Sequence, residues 1–329
     1  MQLPIYHHPS LTVLVDDSDS FLRSLSFQLD PSLASKSFHD TRAALDWLAA
    51  HASGGEAALS ATYDTYPDAQ QRCSVAFDVD QIARIRLRRE RFLTPSVLVV
   101  DYSMPQMNGV ELCEAIRHLP CKKILFTGAA DEKVAVDAFN RGLIDRYIRK
   151  SDDDALDRLE QEILALQNAY FAARSEPLRD LLALHQYSFV ADPAFGRLVR
   201  EIVAREGIVE HYLYANPPGI LMHDRQGRAQ LMVVETEAGM DAHYEMAVDN
   251  DGPDALLDAL RERCIIPYFP QADGMYSQAF SRGWHRYTQA AQVCQGRETY
   301  YWALFPLEGS ELEGPAHSFE AFLNEREPA

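Results

Sequence analysis

Lysine is absent from the second half of this chain. Residues 175–329 contain 12 arginines and no lysine against 24 aspartates and glutamates, and the formal charge of all 329 residues is −18. Affinity for nucleic acids comes mainly from lysine and arginine contacts with phosphates. We therefore expect no direct DNA binding by this half.

The chain also lacks the features of membrane and disulfide-rich proteins. No apolar run approaches the ~20 residues of a membrane span, and the first ten residues carry neither a basic nor an apolar export segment. The five cysteines are scattered without a C-x-x-C pair, which favours free thiols over a disulfide framework or a zinc site. We expect a cytoplasmic protein with two domains of ordinary size and no membrane partner.

The first half alternates short apolar runs with helical patterns, which is typical of βα units around a parallel sheet. A helix is predicted after each of five strands, and the last one runs from Ser151 to about Arg174, with a boundary at Pro177. The predicted strands are 11–15, 34–38, 97–100, 123–126 and 146–149. The fold class is therefore α/β, with a doubly wound five-stranded parallel sheet.

Polar residues follow four of these strands. They are Asp16 and Asp17, Asp101, Thr127 and Lys150. The carboxyl ends of parallel strands meet at one edge of the sheet, and three carboxylates there need a cation, for which oxygen ligands favour Mg²⁺ or Mn²⁺. One carboxylate can then attack phosphorus, while a hydroxyl and an ammonium group hold the other phosphoryl oxygens.

The segment Asp101-Tyr-Ser-Met-Pro-Gln-Met-Asn-Gly109 resembles the signature of the receiver domains of two-component response regulators. The acidic pair after the first strand and Asp145-Arg-Tyr-Ile-Arg-Lys150 resemble the first and fifth strands of that family. The resemblance implies a flavodoxin-like sheet with strand order 2-1-3-4-5. It also implies a phosphoryl group received from a histidine kinase or a phosphotransfer protein.

The resemblance also implies a role for each residue of the site. Asp101 is the phospho-acceptor and a direct metal ligand, and the receiver catalyses its own phosphorylation and dephosphorylation. The other implied roles are Asp17 as second direct ligand, Asp16 as ligand through water, Ser103 as ligand through its backbone carbonyl, Thr127 and Lys150 as phosphate-binding groups, and Tyr147 as the aromatic switch. Ser151 replaces the proline usual in the family, which puts the expected cis peptide and the placement of the lysine in question.

A segment of about 51–93 separates the second helix from the acceptor strand, where the family has only a few residues. Its first part, 51–71, has the composition of a loop, and 80–92 is predicted as one helix. The helix carries five arginines, namely Arg84, Arg86, Arg88, Arg89 and Arg91. Two interpretations stay open: a solvated helix paired with the acidic surface, or a docking element for a partner or a second protomer.

The second half, 175–329, is predicted to be a mixed α+β output domain. A β-hairpin is predicted over 219–235 around a turn at 224–227, and an aromatic strand over 299–305. The hairpin resembles the start of a PAS-type sensory domain. Alternatively, Asp224, Glu235 and Glu237 resemble the carboxylates of the PD-(D/E)xK nucleases, although Glu237 stands where those enzymes have lysine, which indicates a nucleotide-binding relic. A purely structural hairpin is the third interpretation.

The predicted organisation is a receiver domain at 11–174 with an extended last helix, followed by the output domain. That helix carries a heptad pattern. The pattern is explained either by packing of the helix against the sheet or by a homodimer seam that responds to phosphorylation. The positions of the pattern are Leu156, Leu159, Ile163, Leu166, Tyr170 and Ala173. The layout resembles that of the Legionella-type quorum-sensing response regulators. We find no convincing active site in the output domain, so an enzymatic output remains open.

Overall fold

The fold is described from a computed structural model. It describes residues 3–52, 59–63, 73–128, 132–183, 186–272, 274–309, 312, 314 and 317–325. The predicted loop at 51–71 was wrong where the structure describes it, because His51 ends a helix and Leu59–Tyr63 is a strand paired with Cys73–Phe77. The rest of that segment lies outside these residues, as does Asp131, the first residue of the predicted fourth helix.

The strands and helices are numbered in chain order. The strands are β1 (Tyr6–His7), β2 (Leu11–Val15), β3 (Ser35–Phe38), β4 (Leu59–Tyr63), β5 (Cys73–Phe77), β6 (Pro95–Val100), β7 (Lys122–Thr127), β8 (Arg146–Arg149), β9 (Ile208–Tyr214), β10 (Gly219–Asp224), β11 (Ala229–Glu235), β12 (Ile265–Pro267), β13 (Thr288–Ala290), β14 (Gln292–Gln295) and β15 (Thr299–Leu307). The helices are α1 (Asp19–Gln28), α2 (Thr41–His51), α3 (Asp80–Arg84), α4 (Gly109–Ala115), α5 (Glu132–Asn140), α6 (Ala155–Ala183), α7 (Pro193–Glu206), α8 (Glu237–Asp249), α9 (Asp254–Arg261) and α10 (Phe319–Asn324).

The chain divides into two compact units, each built from three segments. The parallel-sheet unit comprises His8–Glu56, Arg88–Ala173 and Phe319–Ala329. The antiparallel-sheet unit comprises Met1–His7, Ala57–Leu87 and Arg174–Ser318. Residues 57–87, which precede β6 in the chain, are therefore grouped with the second half of the sequence.

The parallel-sheet unit confirms the predicted fold class. Its five strands are parallel in the order β3-β2-β6-β7-β8, which is 2-1-3-4-5 when these strands are counted along the chain. All residues of β2 and β6 are buried, as expected for strands covered on both faces. Side chains at helix starts fix where the helices begin: Ser18 caps α1, Asp40 caps α2, and Asn108 with Glu111 forms a capping box on α4.

The antiparallel-sheet unit is α+β, as predicted. Its six-stranded sheet has the order β1-β9-β10-β11-β15-β14. The predicted hairpin is confirmed, since β10 pairs with β11 in a register that places Gly219 opposite Val233 and His223 opposite Ala229. The aromatic strand is confirmed as β15, and its buried Tyr301, Ala303 and Phe305 join the core beneath α8 and α9.

Two helix predictions were wrong. Residues 80–92 form not one helix but the short α3 and two 3-10 helices, Ile85–Leu87 and Arg89–Leu93. Pro177 does not end a helix, because α6 continues through it from Ala155 to Ala183. A proline inside a helix removes one backbone hydrogen bond, and buried side chains beyond it, including Leu178 and Leu182, give the last turns a packed face.

The arginines of this segment are not uniformly solvated, which corrects the first of the two interpretations. Arg86 and Arg91 are buried, and their guanidinium groups donate to the backbone carbonyls of Gly314 and Arg88 respectively. Arg89 forms an ion pair with Glu325, which follows α10 in the parallel-sheet unit. These contacts give three of the five arginines a structural role. None of the helices in the described ranges is long and apolar enough to cross a membrane.

Candidate functional site

Lys150 joins two buried carboxylates at the carboxyl end of the parallel sheet. Its Nζ lies 2.5 Å from Asp16 Oδ2 and 2.7 Å from Asp101 Oδ1. Both carboxylates are largely shielded from water, with exposures of 4% and 7%. Two buried negative charges this close to one ammonium group are strongly attracted to it and repel each other. The site therefore requires a cation between the carboxylates, and Lys150 supplies that charge.

Each carboxylate is also held by a backbone N–H from the residue two positions along the chain. Ser18 N donates to Asp16 Oδ1 at 2.9 Å, and Ser103 N donates to Asp101 Oδ2 at 2.7 Å. The backbone of Asp101 continues the sheet, with its N–H donating to Val15 O at 2.9 Å. One oxygen of each carboxylate is thus fixed by the main chain, and the other faces the ammonium group.

The Asn-Gly pair of the signature closes the loop after the acceptor strand. Asn108 starts α4 through its capping box, and Gly109 N donates to Tyr102 O at 3.1 Å. A Cβ atom on Gly109 would lie 2.2 Å from the carbonyl oxygen of Asp101. Only glycine allows this close approach of α4 to the acceptor strand, which is the physical reason for the Asn-Gly spacing.

The other residues predicted for the site lie on, or directly after, strands of the same sheet. Thr127 is buried at the end of β7, and its carbonyl accepts from Lys150 N at 3.1 Å. Asp17, which follows Asp16 in the chain, and Ser103, two residues after Asp101, are exposed. Tyr147 is half-buried on β8, where burial and the negative charge of Asp152 raise its pKa. The peptide after Lys150 is not cis, since the described cis peptide bond is Asn216–Pro217.

Two aromatic rings beside the lysine were not identified from the sequence. The ring centroids of Phe21 and Phe126 lie 4.1 and 6.0 Å from Lys150 Nζ. Phe126 directly precedes Thr127, so its place in the sequence was a usable signal. Phe21 lies in the first turn of α1, and only the folded chain brings it to the lysine.

The acidic residues singled out in the second half do not form one site. Asp224 accepts hydrogen bonds from the turn residues Gln226 and Arg228. Glu235, at the opposite end of the hairpin, pairs with His243, whereas Glu237 bonds Tyr301 and Arg263. Within the described ranges, no three histidine, cysteine or acidic side chains are grouped so that they could bind a metal. The arrangement is not that of a nuclease centre.

Comparisons with known proteins identify the family of the chain. The family model described as the response regulator receiver domain matches residues 68–161, which include the acceptor strand, Thr127 and Lys150. No curated protein matches the chain. The structure of the Legionella pneumophila response regulator LqsR is 31% identical in sequence, with a TM-score of 0.78, and the match covers 99% of this chain and 98% of that one.

Matches to other solved structures cover about half of the chain. They include a signal receiver domain of an HD domain-containing protein from Pseudomonas fluorescens Pf-5, at 21% identity and a TM-score of 0.35 over 51% of this chain and 93% of that one. Another is described as the adenylate cyclase from Rhodopirellula baltica, at 20% identity and a TM-score of 0.36 over 51% and 95%. Because the receiver-domain model matches and the similarity to LqsR spans the full length, the chain belongs to the response regulators of two-component signalling.

Proposed function

We propose that this protein is a phosphorylation-controlled switch that accepts a phosphoryl group on Asp101 from a histidine kinase or a phosphotransfer protein. The observation that carries the proposal is the bridge from Lys150 to both buried carboxylates. It presents one oxygen of Asp101 beside a fixed positive charge, which is where a transferring phosphoryl group develops negative charge.

The donor chemistry supports a divalent metal here, because carboxylate and carbonyl oxygens are the ligands that Mg²⁺ and Mn²⁺ prefer. In the structure, Lys150 lies between Asp16 and Asp101, and the three aspartates are not grouped as a metal site, so metal binding requires these side chains to rearrange. We assign Asp17 and Asp101 as direct ligands, Asp16 as a ligand through water, and the backbone carbonyl of Ser103 as the fourth group. When bound, the metal supplies positive charge to the carboxylates and to the phosphoryl oxygens.

In the transfer, an oxygen of Asp101 forms a bond to phosphorus while the bond from phosphorus to the donor group breaks. The leaving group of the donor keeps the electron pair of that bond. Lys150 then directs N–H groups to the phosphoryl oxygens, and the hydroxyl of Thr127 donates to another. Tyr147, on the neighbouring strand, is assigned as the aromatic residue that reports phosphorylation to the surface.

The output of the switch is proposed to be a protein or small-molecule interaction that depends on a phosphorylation-promoted homodimer. The excess of acidic residues and the absence of lysine at 175–329 support an output other than DNA binding. The full-length similarity to LqsR supports the earlier resemblance in layout to quorum-sensing regulators. We propose that the protein acts in that setting in the cytoplasm.

Incubation with acetyl phosphate and Mg²⁺ tests the acceptor. The wild-type chain should gain the mass of one phosphoryl group, Asp101→Asn should gain none, and the matched variant Asp137→Asn, on α5, should label normally. Equal labelling of Asp101→Asn would refute the assignment.

Light scattering with and without beryllofluoride tests the dimer. The proposal requires the mass of wild-type protein to rise toward that of a dimer, and the mass of Asp101→Asn to stay constant. An unchanged mass for a wild-type sample that labels fully would rule out phosphorylation-promoted dimerisation.

A further inference from the structure

The ring of Phe21 lies against the ammonium group that joins the two carboxylates. Its centroid is 4.1 Å from Lys150 Nζ, and its neighbour Phe126 lies 6.2 Å from it, centroid to centroid, with the ring planes at 40°. An ammonium group has three N–H donors. Asp16 and Asp101 take two of them, and the Phe21 ring covers a third side at a distance well inside the ~6 Å range of cation–π attraction.

The backbone fixes the position of Phe21 through the same turn that fixes Asp16. Ser18 N donates to Asp16 Oδ1 at 2.9 Å, and the hydroxyl of Ser18 accepts from Phe21 N at 3.3 Å. The first turn of α1 therefore sets both the carboxylate and the ring against the lysine. The Phe21 side chain also packs against the buried core of the parallel sheet.

We propose that Phe21 is a positioning residue for phosphoryl transfer, whose aromatic face holds the Lys150 ammonium group over Asp101. The inference rests on the proposed function and deepens it. Without the ring, one side of the ammonium group is solvated and the lysine side chain gains rotamers. The fraction of molecules with Nζ beside the acceptor oxygen then falls. An aromatic ring is suited to this task because it carries no negative charge. Unlike a carboxylate, it does not compete with the incoming phosphoryl group for the ammonium group of Lys150.

The rate of labelling by acetyl phosphate tests this role. Phe21→Leu, which keeps apolar bulk but no aromatic face, should label about 2- to 30-fold more slowly, the range expected for a cation–π contact. Phe21→Tyr should label at nearly the wild-type rate. Phe27→Leu is the matched control, since Phe27 lies on the same helix but is 90% exposed, and it should have no effect.

Fluorinated phenylalanines at position 21 separate the electrostatic role from simple packing. Fluorine withdraws electron density from the ring face with little change of shape, so the labelling rate should fall progressively from one to three fluorines. The Mg²⁺ concentration is kept saturating, and thermal unfolding confirms that each variant is folded.

The outcomes for Phe21 and for the acceptor are distinguishable. A flat rate across the fluorinated series, or a Phe21→Leu variant that labels like wild type, overturns the role of Phe21 while leaving Asp101 as acceptor. If instead Asp101→Asn labels as well as wild type, the proposed function itself fails.

Discussion

The two units place their buried charged groups in different ways. In the parallel-sheet unit, Asp16, Asp101 and Lys150 come from three strands and meet at one point. In the antiparallel-sheet unit, the buried carboxylate of Glu210 instead pairs with the nearby Tyr212, and that of Asp192 with the main chain at Ala194 N. Convergence of distant charges indicates a reaction site, whereas local pairing indicates support of the fold. The predictions below test this difference, beginning with the largest expected effect.

Removing the ammonium group should nearly abolish labelling. Lys150→Met leaves two buried carboxylates without their bridging charge, so we expect phosphorylation by acetyl phosphate to slow by about 10²–10³-fold. Lys122→Met is the matched control, because Lys122 makes a half-exposed ion pair with Asp145 on the same sheet. That variant should label normally and lose at most about 1 kcal/mol of stability. Similar labelling of the two variants would remove the distinction between convergent and local charges.

Acid should weaken the antiparallel-sheet unit through its stacked His7 and His211, whose ring centroids are 5.7 Å apart. Burial lowers the pKa of His7 to about 4, and burial with the neighbouring ring lowers the pKa of His211 to about 3. Because these pKa values lie below the unfolded value of 6.5, the two neutral histidines contribute their full stability to the folded unit above pH 6.5. It is lost progressively as the pH falls toward 3–4.

Between pH 7 and 5 we expect the free energy of unfolding to fall by roughly 1–2 kcal/mol because of His211, and by less because of the partly exposed His7. Urea unfolding followed by tryptophan fluorescence measures it, with Trp47→Phe restricting the signal to Trp284 and Trp302 of this unit. The double variant His7→Gln/His211→Gln should show a shallower pH dependence. An unchanged slope would contradict the linkage to these two rings.

Asp192 should stabilise the antiparallel-sheet unit without affecting phosphorylation. Its carboxylate caps α7 through Ala194 N at 2.8 Å and accepts from Arg297 N at 2.5 Å, in the turn between β14 and β15. Asp192→Ala should therefore cost roughly 2–3 kcal/mol in urea unfolding. Asp40→Ala, which removes a single exposed cap on α2 of the other unit, should cost only about 1 kcal/mol. Equal losses of stability in the two variants would show that the burial of Asp192 and its second hydrogen bond add nothing to the stability of the unit.

Gly109→Ala should disturb the end of β6 and cost about 1–3 kcal/mol of stability. The added methyl group would meet the carbonyl oxygen of Asp101, so the strand end or α4 must shift and labelling should slow. Gly128→Ala is the control, because a Cβ there meets nothing within 4 Å. Unimpaired labelling of Gly109→Ala would show that the acceptor tolerates movement of its backbone.

Local patterns predicted the elements that depend on local physics. The apolar runs at β2 and β6 and the hairpin around Asp224 depend on neighbouring residues, and the structure confirms them. Predictions failed where packing outweighed local preference. Pro177 lies inside α6, and residues 80–92 form shorter helices in which Arg86 and Arg91 are buried.

The sequence by itself determined the βα alternation and the residues that end the strands, because apolar runs and the polar residues after them are local patterns. The sheet order was implied by the resemblance of the Asp101 segment to receiver domains. Only the tertiary structure decided that Lys150 bridges Asp16 and Asp101, and that the ring of Phe21 lies against it. It also assigned β1 and residues 57–87 to the unit formed by the second half of the chain. Such contacts join residues far apart in the chain, and their free energy depends on burial and geometry that no local pattern of residues encodes.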